Sequence, residues 1–184
     1  MKLQGVHHVA YRCRDAKETV EWYGKYLNMD FILAIAEDQV PSTKEPEPYM
    51  HVFLDAGGEN VLAFFELPTK PAMGRDQNTP AWVQHLAFKV STLAELENAK
   101  AKMEADGIEV IGPIDHTIFK SIYFFDPNGH RCELAVNTGT TEMRKKLDDV
   151  KWEMLEEWTQ TKRAPNHARW MPTYCPGLSA TADP

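Results

Sequence analysis

Two short stretches of the chain place the same kind of residue in the same kind of company. Val6-His7-His8-Val9-Ala10-Tyr11-Arg12-Cys13 and Val83-Gln84-His85-Leu86-Ala87-Phe88-Lys89-Val90 share Val, His and Ala, and pair Val with Leu, Tyr with Phe and Arg with Lys. Each is rich in β-branched and aromatic residues, as buried strands are. His8 and His85 therefore stand at matching positions of matching strands. Downstream, Glu133 lies inside the apolar run Cys132-Glu133-Leu134-Ala135-Val136, and Glu66 inside Phe64-Phe65-Glu66-Leu67. A carboxylate in such a run is costly unless paired or bound to a cation. Two imidazoles with one or two carboxylates around a common centre make a divalent-metal donor set. A lone strand histidine is ordinarily a hydrogen-bonded core residue. It is the repetition at His85 that singles out both. His7, adjacent to His8, is expected on the opposite face.

The elements that position these residues follow the same repeat. Asp15 can cap a helix carrying Val20, Tyr23, Tyr26 and Leu27 and ending near Asn28. Ser91 or Thr92 can cap Leu93 to Ala105, stopped by Asp106-Gly107. Strands are expected at Phe31–Ala36, Met50–Leu54 and Val61–Leu67, and again at Ile108–Ile111, Ile118–Phe125 and Arg131–Val136. Asp55-Ala56-Gly57-Gly58 and Asp126-Pro127-Asn128-Gly129 make the turns. The fold class is α+β: two tandem βαβββ modules forming a curved sheet around a metal site, plus a C-terminal helix and arm. The expected division is 1–68 for the first module, 69–80 for a linker, 81–137 for the second module and 138–184 for the helix and tail. A long acidic, proline-rich loop is expected from Glu37 to Pro48. A C-terminal helix from Thr140 or Thr141 to about Thr161 carries Met143, Leu147, Val150, Met154 and Trp158 at helical spacing.

Composition bounds the partners. The 184 residues carry 20 basic and 27 acidic side chains, a net charge of -7. No basic cluster exceeds Arg144-Lys145-Lys146, so nucleic acid and anionic membrane surfaces are not expected partners. Cys13, Cys132 and Cys175 are widely spaced without a CxxC, which fits free thiols in a reducing compartment. With no signal-like start and no apolar span of membrane length, a cytoplasmic location is expected.

With these residues in hand, the paired modules and the set His8, His85 and Glu133 resemble the vicinal oxygen chelate superfamily: glyoxalase, epimerases, fosfomycin-resistance proteins and extradiol dioxygenases. The resemblance covers about residues 3–137. The stretch from Ile114 to Glu133, with His116, Ile122-Tyr123, Asp126-Pro127-Asn128-Gly129 and then Glu133, resembles the signature of single-domain type I extradiol ring-cleavage dioxygenases. That resemblance implies His8, His85 and Glu133 as a facial triad for Fe(II), a catechol-type aromatic diol and O2 as substrates, and Tyr123 and His116 as catalytic residues. The spacing from His116 to Tyr123 would put them on opposite faces of a straight strand. A bulge, or His116 on the preceding loop, is required for both to reach one site. One departure is that no His lies between Glu66 and Gln84, where larger extradiol enzymes carry an acid-base His. Glu66 instead sits near the fourth ligand of glyoxalases and epimerases. This supports an alternative: a metal-dependent lyase or isomerase acting through an enediolate, with Glu66 as fourth ligand or base and Zn, Ni, Co or Mn in place of iron. A ligand-sequestering binding module of the same fold is a third reading. No cationic cluster is visible along the chain, so a neutral aromatic substrate is expected. The amphipathic C-terminal helix suggests a homodimer or larger homo-oligomer, and the linker permits the sheets to pair within one chain or between two.

Overall fold

The structure is a computed structural model and describes residues 1–164. The chain runs β1 (Val9–Cys13), α1 (Ala16–Leu27), β2 (Phe31–Gln39), β3 (Pro46–Asp55) and β4 (Val61–Glu66). It then repeats as β5 (Leu86–Lys89), α2 (Leu93–Ala105), β6 (Ile111–Asp115), β7 (Phe119–Phe125) and β8 (Arg131–Asn137), and ends in α3 (Thr141–Thr161). Two four-stranded mixed sheets result, ordered β1-β4-β3-β2 and β5-β8-β7-β6. In each, the first strand lies parallel to the last, and the remaining pairs are antiparallel.

Local sequence explains the boundaries. Asp15 accepts the Glu18 amide at 2.7 Å to start α1, and Asn28 ends it in a left-handed conformation. Thr92 and Glu95 close a reciprocal capping box on α2. Thr140, through its hydroxyl, caps α3. α1 and α2 each cover one face of their own sheet. Tyr23 and Thr19 of α1 are buried with Leu54, Leu62 and Phe64; Leu96 and Met103 of α2 are buried with Ile122, Phe124, Cys132 and Leu134. Each large apolar side chain so buried contributes roughly 1.5–3 kcal/mol.

Two expected elements are corrected. The strand expected at Ile108–Ile111 is β6 at Ile111–Asp115. The Ile108 amide instead bonds to Met103 O at 3.0 Å, which spends this segment on closing α2. Gly112 then lets β6 pass β7 closely, since a Cβ there would stand 2.6 Å from Ser121 O. The long loop expected from Glu37 to Pro48 is largely a hairpin, because β2 continues to Gln39 and β3 begins at Pro46. The expected arm lies, from residue 165 on, outside the described residues. No residue of α3 is buried, and Trp152 and Leu155 are exposed.

The modules are joined by the Asp126–His130 turn. Tyr23 donates to Asp126 Oδ2 at 3.1 Å, and the Arg14 amide donates to Asn128 Oδ1 at 2.8 Å. Asn128 Nδ2 donates to Thr19 Oγ1 at 3.0 Å, and His130 Nε2 donates to the Arg12 carbonyl at 2.7 Å. Asp126 is buried and also accepts the amides of Asn128 and His130.

Candidate metal centre

Strand parity decides which side chains can meet. In the second sheet Ile122, Phe124, Cys132 and Leu134 face α2 and the core. Their neighbours Ser121, Tyr123, Phe125, Arg131 and Glu133 must face away from the helices. The register sets Tyr123 opposite Glu133 and Phe125 opposite Arg131. His85 stands one residue ahead of β5, whose Ala87 pairs with Glu133. The result is a compact polar group on one face. His85 Nε2 lies 2.9 Å from Glu133 Oε2, and the Ser121 hydroxyl donates to Glu133 Oε1. Glu133 is only 3% exposed, whereas the His85 side chain keeps 31%.

His116 occupies the turn between β6 and β7, beside Thr117 at φ 72°. From there its Nε2 meets Tyr123 Oη at 2.8 Å. The loop position thus supplies the reversal that a straight strand would have denied. The Arg131 guanidinium lies 4.4 Å above the Tyr123 ring. Burial raises the Tyr123 phenol above its ordinary range, with the charge of Glu133 adding to it, so the hydroxyl keeps its proton.

His8 belongs to the first sheet. It precedes β1 and is exposed, with its ring 6.3 Å from that of His51 and 6.0 Å from Phe53. Its Nδ1 lies 2.8 Å from Nδ1 of His7, so these neighbours share one side rather than opposing faces. The extended alternation that would separate them begins only at Val9. His51 stacks on Phe65 at 3.5 Å between centroids, and burial lowers its pKa, with His8 adding to the effect.

Glu66 lies on the other face of its sheet. It shares parity with the buried Leu62 and Phe64, and its Oε2 accepts the Ala16 amide at the start of α1 at 2.7 Å. The counterpart of Glu133 by register is Ala63: Ala10 pairs with Ala63 as Ala87 pairs with Glu133, and Phe53 with Ala63 as Tyr123 with Glu133. Residues three apart on a strand face opposite ways, so Glu66 serves the helix.

The pair His85–Glu133 fits two positions of a divalent ion bound by imidazole and carboxylate, with Ser121 orienting the carboxylate as supporting partners do in metal sites. Among the described residues no three His, Cys, Asp or Glu side chains converge as a metal site. The structure therefore brings together His85, Glu133, Tyr123 and His116, and leaves His8 and Glu66 apart from them. Ser121 and Arg131 were missed in sequence. Counting by twos from Tyr123 and Glu133 would have found both.

Residues 5–134 match the Glyoxalase/Bleomycin resistance protein/Dioxygenase superfamily. Biphenyl-2,3-diol 1,2-dioxygenase 3 of Rhodococcus globerulus is 34% identical over 73 residues, 39% of this chain; the match spans only 38% of that enzyme's length. The uncharacterized protein YwkD of Bacillus subtilis is 27% identical over 136 residues, covering 73% of this chain and 98% of YwkD. Among solved structures, a glyoxylase/bleomycin resistance protein/dioxygenase domain from Frankia sp. EAN1pec superposes with a TM-score of 0.59 at 19% identity, over 74% of this chain and all of that one. This last likeness concerns the fold alone.

Proposed function

The chain belongs to the Glyoxalase/Bleomycin resistance protein/Dioxygenase superfamily, and from that premise we propose that it is an Fe(II)-dependent extradiol ring-cleavage dioxygenase acting on a catechol-type aromatic diol with O2. The observation that carries this reading is the single face on which His85, Glu133, Tyr123 and His116 stand together. The partial similarity to an enzyme named for biphenyl-2,3-diol supports the substrate class.

In this reading His85 and Glu133 hold the ion, and His8 of a second copy of the chain completes the set. The open edge around Phe31, Leu33 and Ile35 supports a homodimer. When bound, the ion supplies acidity to the diol and the redox chemistry with oxygen. The protein's own groups do the rest. Ser121 fixes the carboxylate by its hydroxyl. Tyr123, protonated and buried, donates to a substrate oxygen. His116, in hydrogen-bond contact with Tyr123 Oη, fixes that hydroxyl and holds a proton for transfer.

The alternative lyase or isomerase needs a second carboxylate on this side, as fourth ligand or base. Position 63 holds Ala, and Glu66 is engaged with α1, which disfavours it. A binding module would keep its ligand affinity in His85→Ala. The test is spectroscopic. Anaerobic protein loaded with Fe(II) is mixed with catechol or biphenyl-2,3-diol, then with oxygen. The dioxygenase gives a new optical band on mixing and consumes oxygen on aeration. Neither change with any diol of a panel contradicts the reading.

A further inference from the structure

Beside the His85–Glu133 pair lies a cavity of about 590 Å³, bounded by Tyr11 and Arg12 of β1, Arg75 of the intermodule segment, His85, and His130 and Arg131 at the start of β8. We propose that this cavity is a subsite for an anionic substituent of the substrate, a carboxylate or comparable oxyanion. The inference rests on reading the His85 face as the substrate face. It replaces the neutral substrate expected from sequence with a negatively charged one.

Three guanidiniums and two imidazoles line the cavity against one carboxylate, Asp76. Asp76 is occupied within its own loop, where it accepts the Asn78 amide and the Thr79 hydroxyl. Among the described residues, Arg12, Arg75 and Arg131 have no carboxylate within ion-pair distance. The Nε atoms of Arg12 and Arg131 are both buried without a hydrogen-bond partner. Such donors are costly to leave unpaired.

The geometry favours a planar oxyanion. Arg131 lies over the Tyr123 ring at 4.4 Å and Arg75 over the Phe125 ring at 5.0 Å. A guanidinium held beside a ring can bond a carboxylate through two N–H groups at once. Arg12 is anchored differently, donating to the Pro71 carbonyl at 2.7 Å, and so fixes one wall. His85 belongs to both the cavity and the metal pair. A single aromatic diol can therefore present its hydroxyls to the ion and a carboxylate to the arginines. The three arginines come from positions 12, 75 and 131, which is why no cluster is visible along the chain.

Calorimetric titration tests this. Catechol, 2,3-dihydroxybenzoate and 3,4-dihydroxybenzoate are titrated into anaerobic Fe(II)-loaded protein, and benzoate into metal-free protein. At least one carboxylated diol is expected to bind about tenfold or more tightly than catechol, and benzoate to bind measurably. Arg75→Gln, in an exposed loop, and Arg131→Gln should each reduce that preference and weaken benzoate binding, with catechol affinity unchanged in Arg75→Gln. If neither carboxylated diol binds more tightly than catechol, or the preference survives in both variants, the subsite is wrong and the dioxygenase reading stands. If no diol binds through iron but benzoate still depends on Arg75, the subsite stands and the dioxygenase reading falls.

Discussion

The two modules share a scaffold and differ on one face. Strand order, register and helix placement repeat, and the buried helix-facing residues at the centre of both are apolar: Val52, Leu54, Leu62 and Phe64 in one, Ile122, Phe124, Cys132 and Leu134 in the other. On the opposite face the second module holds Ser121, Tyr123, Arg131 and Glu133, where the first holds His51, Phe53, Val61 and Ala63. The histidine ahead of the first strand is kept, as His8 and His85. The buried face is constrained by packing and so resembles itself in both copies. The other face is free to specialise, and the second module carries Glu133 there where the first has Ala63. The first offers the rings of His51 and Phe65, stacked on each other, with Phe53 tilted against them, an aromatic surface suited to a planar substrate.

This contrast can be broken or sharpened by substitution. Among the residues that support the ligands, the largest effect is expected at Ser121. Ser121→Ala removes the hydroxyl that orients Glu133 and should weaken divalent-metal affinity by roughly 10–100-fold, read by competition with a chelating dye. An unchanged affinity would mean that Ser121 does not act through Glu133. Next comes the joint between the modules. Tyr23→Phe deletes the bond to the buried Asp126 and should cost about 1–2 kcal/mol in urea denaturation. A neutral result would show that the turn docks without it.

Glu66→Gln should cost less, about 0.5–1 kcal/mol, because it weakens only the anionic partner of the α1 N-terminus. Thermal melting reads this. The thiols give the smallest effect. Burial pushes Cys132 up to about 12 and Cys13 up to about 11. In a Cys175→Ser background, native protein should take up no iodoacetamide at pH 8, and denatured protein should react at both remaining thiols. The same raised values imply that stability falls as pH rises from about 9 towards 11. The unfolded chain releases thiol protons there that the folded chain retains.

Much of the fold was legible because repetition is a strong signal and caps are local. Asp15, Thr92, Thr140 and the 126–129 turn act where their residue types imply. The shift of β6 was not legible, because the close pass of Gly112 over Ser121 is a tertiary contact. At the site, His85, Glu133, Tyr123 and His116 were marked in sequence and stand together. Glu66 was marked by composition, yet a displacement of three positions from Ala63 put it on the other face. The arginine cavity was hidden because its members meet only after folding.

The central claim is that the second module's face, and not the first module's carboxylate, holds the metal. Metal content after Fe(II) or Mn(II) loading and gel filtration tests it directly, measured in Glu133→Gln, Glu66→Gln and the unaltered protein. The account predicts one ion per chain in the unaltered protein and in Glu66→Gln, and loss of the ion in Glu133→Gln. Retention of the ion in Glu133→Gln with its loss in Glu66→Gln would contradict it.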